Sequence, residues 1–160
     1  MATNKLVVTL PSDTEILQTR TFDAPRDLVW KAISDPALIP LWWGPRKYTT
    51  VVDRMDFHTG GKWRFVQTDP NGNIFAFRGE YREVVAPERV VDTFEFEPLA
   101  GHISVERMTL TEKNGQTILA TLSKVDSKED RDGMLQSGME SGASETMDRL
   151  EELLAQKQHA

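Results

Sequence analysis

With no cysteine in its 160 residues, the chain has carboxylates, tyrosine, tryptophan and three histidines left to do chemistry. Thiolate catalysis, disulfides and cysteine-ligated zinc are excluded, and the absence fits a reducing, cytosolic setting. His58, His102 and His159 stand singly near a strand end, a loop and the terminus. They form no helix pair or convergent set that a metal needs, so they read as surface residues, with no metal or cofactor implied. Gly60-Gly61 precedes no helix and so makes no phosphate loop. Ser137-Gly138-Met139 falls within a helical segment, where an exposed nucleophile elbow cannot form. Asp53 and Asp56, three apart on a strand, point to opposite sides.

The remaining ionisable residues lie on strands, where alternation assigns faces. Arg78, Glu80 and Arg82 share one face, opposite Phe77, Gly79 and Tyr81, and read as a solvated face with cross-strand pairs. Glu95 and Glu97 stand opposite Phe94 and Phe96 in the same way. Glu106 and Arg107 face opposite sides, so one of them enters the interior. A charge buried there would need a partner and would orient a polar group of a ligand.

The elements that must position these residues follow from period and punctuation. The net charge of −6 disfavours a broad grip on nucleic acid, and no apolar run reaches the ~20 residues of a membrane span. Residues 1–14 read as an N-terminal arm or edge strand, 15–156 as one domain and 157–160 as a tail. Glu15 to Phe22 alternates as a strand. Pro25 and Asp27 open a short helix, and Asp35-Pro36 opens a second, to about Trp43, ended by Gly44-Pro45. Strands follow from Tyr48 to Lys124, with Asp69-Pro70-Asn71-Gly72 and Asn114-Gly115 as hairpin turns. A final helix is predicted from Asp126 or Ser127 to about Gln156. Leu135, Met139, Gly142, Thr146, Leu150 and Leu153 form its stripe, and ~28 residues would span ~42 Å. One sheet must bury one face, and this helix is the element able to cover it. The fold class is therefore α+β, a helix-grip: a curved antiparallel sheet of about six or seven strands around a long C-terminal helix.

A set of short motifs occurs in order along the chain: Phe22-Asp-Ala-Pro-Arg-Asp-Leu-Val-Trp30, Trp42-Trp-Gly-Pro45, Gly60-Gly-Lys-Trp63, Gly79-Glu-Tyr-Arg-Glu-Val-Val85, Pro87-Glu-Arg89, Ser137-Gly-Met-Glu-Ser-Gly142 and Asp148-Arg-Leu-Glu-Glu-Leu-Leu154. Together they resemble the activator of heat-shock-protein-90 ATPase homologue-like group of the START-like (SRPBCC) superfamily, over about Glu15 to Ala155. The resemblance implies a helix-grip fold of the single-domain bacterial type. The superfamily includes lipid and hormone binders, polyketide cyclases and oxygenase subunits, and fold alone does not choose among them.

A cavity between sheet and helix is the expected functional feature. Its expected walls are Trp42, Trp43, Trp63, Phe65, Phe77, Tyr81, Met108, Met134, Gly138, Met139 and Gly142. Adjacent helical residues point about 100° apart, so one indole of Trp42-Trp43 is expected to face it. Gly138 and Gly142 make the helix either unusually close to the sheet or hollow above it. A void of ~300 Å³ would cost ~7 kcal/mol at ~24 cal/mol per Å³, so it must be small, wet or occupied. The leading expectation is a binder of a small apolar or amphipathic molecule. An interaction module with a chaperone or homodimer contact comes second. A cyclase- or hydrolase-type enzyme comes third, and it requires a carboxylate with a perturbed pKa beside the cavity.

Overall fold

The computed structural model describes residues 4–158; His159 lies outside them. Eight antiparallel strands form one sheet: β1 Val7–Thr9, β2 Glu15–Phe22, β3 Thr49–Met55, β4 Lys62–Thr68, β5 Ile74–Val85, β6 Arg89–Phe96, β7 Ile103–Lys113 and β8 Gln116–Lys124. Their order is β1-β2-β8-β7-β6-β5-β4-β3, so only one connection, from β2 to β3, departs from a meander. That connection carries helix α1, Arg26–Ser34, and a 3-10 turn, Ile39–Leu41. The helix-grip expectation holds, with one strand more than the upper estimate because β1 adds an edge to β2.

Two local expectations give way. The second short helix shrinks to the 3-10 turn, whose proline lies at its start. Trp42 has already left helical geometry, at φ −139° and ψ −23°. The long C-terminal helix is two helices, α2 Lys128–Gln136 and α3 Met139–Gln158. Ser127 caps α2 by accepting a hydrogen bond from the Asp130 backbone N–H at 3.1 Å. Gly138, at φ +83°, supplies the left-handed residue that ends it. At 1.5 Å per residue, the 20 residues of α3 span about 30 Å rather than ~42 Å.

The concave face is filled unevenly. Toward the β7–β8 hairpin, Leu110 and Leu119 pack in one buried cluster with Phe22, Val29, Leu150, Leu153 and Leu154, from β2, α1 and the C-terminal half of α3. In contrast, Leu135, Met139, Gly142 and Thr146, from α2 and the first turns of α3, are only half-buried. A Cβ added at Gly138 would meet nothing, and one at Gly142 would meet Pro45 Cγ at an ordinary 3.6 Å. Neither glycine brings the helix close to the sheet; the first makes a turn and the second faces a loop.

Candidate functional site

Strand register assembles the site. Ser123 of β8 pairs with Glu106 of β7, Glu106 with Asp92 of β6, and Asp92 with Tyr81 of β5. Four polar side chains thus form one cross-strand row on the face that the helices cover. The adjacent row is Gln18, Thr121, Met108 and Val90. Both rows, Ser123 apart, floor a cavity of about 190 Å³. Its roof is Ile33 of α1, Ile39, Trp42 and Trp43, and its far wall is Phe57, Trp63, Phe65 and Phe94.

Aromatic packing fixes that wall. Trp43 meets Phe65 edge-on at 5.1 Å between ring centroids and Phe77 at 5.2 Å, and Phe57 meets Tyr81 at 5.0 Å. The indole N–H of Trp42 donates to the Ala32 carbonyl at 3.0 Å, tying the roof to α1. The Trp63 indole N–H donates to the Thr93 carbonyl at 3.2 Å. Gly79 leaves the space for this contact, because a Cβ there would lie 1.8 Å from that same carbonyl oxygen.

The carboxyls of Asp92 and Glu106 open onto the cavity, so they keep some accessible surface although protein surrounds them. Burial pushes the Asp92 pKa well above the ordinary carboxylate range, and Glu106 opposite adds to the shift. Burial also raises Glu106, opposed by hydroxyls that Ser123 and Ser104 donate to its two oxygens, the latter at 3.0 Å. Desolvation raises Tyr81 as well, followed by the charges of Asp92 and Asp56. Of the two acids, Asp92 is the less partnered. Apart from its own backbone N–H, its carboxyl has no hydrogen-bond donor among the described residues.

A second interior charge is treated differently. Arg20 of β2 is fully buried, and its two terminal nitrogens donate to Asp148 at 2.7 Å and Glu151 at 3.0 Å on α3. Only its Nε lacks a partner. The outer sheet face is laced by Arg64–Glu97 at 2.7 Å and Arg78–Glu95 at 2.8 Å, with Arg78, Glu80 and Arg82 exposed as alternation predicts.

Six of the residues expected at the cavity surround it: Trp42, Trp43, Trp63, Phe65, Tyr81 and Met108. Both indoles take part, against the expectation of one, because the helical spacing that separates neighbours ends at the 3-10 turn. Phe77 stands one layer behind, against Trp43 and Phe94. Met134, Gly138, Met139 and Gly142 are not on the wall, since the break at Gly138 redirects the helix they were assigned to.

A family model described as Activator of Hsp90 ATPase homolog 1-like protein matches residues 23–155. The chain belongs to this family. Solved structures of similar fold include a protein from Rhodobacter sphaeroides, with 26% identity, a TM-score of 0.88, and coverage of 94% of this chain and 99% of that one. Another is from Mycobacterium smegmatis, at 27% identity and TM-score 0.84, covering 95% of this chain and 99% of that one. A third, from Nitrosomonas europaea, shares the fold at 24% identity and TM-score 0.83, covering 94% and 100%. No curated protein matches the sequence. In this member of the Activator of Hsp90 ATPase homolog 1-like family, the residue that sequence reading passed over is Asp92. The alternation that turns Phe94 inward turns Asp92 inward too, two residues earlier. That parity is the signal that finds it.

Proposed function

We propose that this protein binds a small apolar or amphipathic molecule in the cavity between the concave sheet and its helical cover. The supporting observation is an aromatic enclosure with a few polar groups converging on its floor, the usual construction of a small-molecule site. If sealed and left empty, 190 Å³ would cost at most about 5 kcal/mol at ~24 cal/mol per Å³, and because the cavity is part-open, water shares in filling it. Occupancy, by ligand or by water on the polar row, offsets that cost. Native mass spectrometry of freshly purified protein is expected to show a bound adduct. Single-ring aromatic probes are expected to perturb tryptophan fluorescence through Trp43 and to raise Tm. Protein that carries nothing and ignores such probes in both signals would remove the reading.

A second reading is favoured by the buried carboxyls themselves: proton transfer to and from a bound carbonyl compound. Asp92 would protonate the carbonyl oxygen while Glu106 removes the proton from the adjacent carbon, giving an enol. Deuterium entering phenylacetone from heavy water faster with wild type than with Asp92→Asn is the expected sign; equal rates would discard it. The ion-paired outer face favours a solvated surface over an apolar partner surface there.

A further inference from the structure

Resting on the binding reading above, we infer that the ligand is a small lipophilic amine, held as its ammonium ion by the Asp92–Glu106 pair and by the aromatic wall. Two carboxyls stand directly opposite each other on neighbouring strands, an arrangement that is destabilising when both are ionised and nothing lies between or above them. Among the residues that line the cavity there is no lysine, arginine or histidine. Arg20, the one buried cation on this sheet face among the described residues, spends both terminal nitrogens on α3. The pair therefore has no counter-ion of its own.

The chemistry of each group narrows the ligand. Both oxygens of Glu106 already accept from serine hydroxyls, so Asp92 is the acceptor left open toward the cavity. An ammonium offers three N–H donors to that acceptor. Trp43, Trp63, Phe57 and Phe94 surround the same space, and aromatic faces attract cations more strongly where water is excluded. A carboxylate or phosphate ligand meets like charge, and the side-chain donors that line the cavity, Gln18, Thr121 and Tyr81 among them, are all neutral. The volume admits one ring with a short substituent, since cavities of about 150 Å³ accept benzene.

The pH response follows from the groups that face Asp92. These are Glu106 from β7 and Tyr81 from β5, with Asp56 beside Tyr81. The roof presents only Ile33, Ile39, Trp42 and Trp43. Protonating the acid pair removes the counter-ion, so amine affinity must fall as pH falls, and binding must release a proton to solvent at any pH where the free pair holds one.

The test is calorimetric titration of the intact chain with benzylamine, benzyl alcohol and benzoate. Benzylamine is expected to bind about tenfold or more tightly than benzyl alcohol, and benzoate more weakly than either. In wild type alone, the benzylamine advantage is expected to shrink as pH is lowered, while benzyl alcohol affinity stays level. Repeating the titration in buffers of different ionisation enthalpy is expected to show proton release with benzylamine only. Asp92→Asn, near-isosteric and without the charge, is expected to erase the amine preference, so that benzylamine binds the variant no more tightly than benzyl alcohol does. Equal affinity of amine and alcohol, or tightest binding of benzoate, overturns the ammonium assignment and leaves the cavity reading standing. Failure of all three probes to bind overturns both.

Discussion

Arg20 and Asp92 are both charged-type residues on the concave face of one sheet, and the fold treats them in opposite ways. Arg20 is closed off from solvent and answered by two carboxylates from α3, so its charge ties strand to helix. Asp92 is answered by another acid, Glu106, and by a cavity. A buried charge costs free energy unless it is paired and hydrogen-bonded. The first site meets that requirement within the chain. The second meets it only by staying protonated or by accepting something from outside. Reading the two together separates charge that builds the fold from charge that the fold holds in reserve.

Four substitutions break or sharpen this contrast. Arg20→Ala is expected to cost about 3 kcal/mol, the low end for breaking a buried pair, because the stranded acids can regain water. Asp148 and Glu151 are already 48% and 32% exposed. Chemical denaturation checks the value; a loss below the effect of an ordinary surface mutation would make the pair incidental.

Asp92→Asn should move stability the other way. A carboxyl whose pKa is raised by folding favours the native state fully below its unfolded value, and that contribution is lost as pH rises through the folded value. The substitution is therefore expected to stabilise by about 1–2 kcal/mol at pH 8 and by little at pH 5. Thermal melts of both proteins across that range decide it, and a gap that does not widen with pH counts against a buried acid.

Ser123→Ala removes one of the two hydroxyls that favour ionised Glu106. A loss of about 1 kcal/mol near neutrality and a further rise of the Glu106 pKa are expected, read by denaturation and carboxyl NMR. An unchanged Glu106 titration would mean the hydroxyl is not its partner in solution.

The outer face supplies the smallest effect. The Gly101 backbone N–H, then Arg78, lowers the pKa of Glu95. Its contribution is thus present above the unfolded pKa and lost as pH falls through the folded one. Glu95→Gln is expected to cost about 0.5 kcal/mol at pH 7, a difference that closes in acid. A deficit that persists at pH 3 would point to packing rather than charge.

These contrasts were unevenly legible in the sequence. Alternation placed Phe77 and Tyr81 opposite Arg78 and Arg82, and it allowed Glu106 an inward course, because strand faces follow a strict period of two. The same rule contains Asp92, but one acid between two inward apolar residues shows its meaning only once register sets it across from Glu106. Pairing of strands remote in sequence is what no local pattern supplies. The C-terminal helix failed for the opposite reason. Its stripe continues through Gly138, whose left-handed φ breaks the helix while the apolar spacing on either side still looks continuous. Arg20 lay inside an alternating strand, and its partners on α3 stand 128 and 131 residues away.

The most direct measurement is the titration of the Asp92 side-chain carboxyl by carbon-13 NMR, in the free protein and with benzylamine bound. The account predicts a pKa well above the ordinary carboxylate range when the cavity has no cation, falling into or below that range when the ammonium is present. An ordinary pKa in the free protein, or a raised one that saturating benzylamine leaves unmoved, would contradict it.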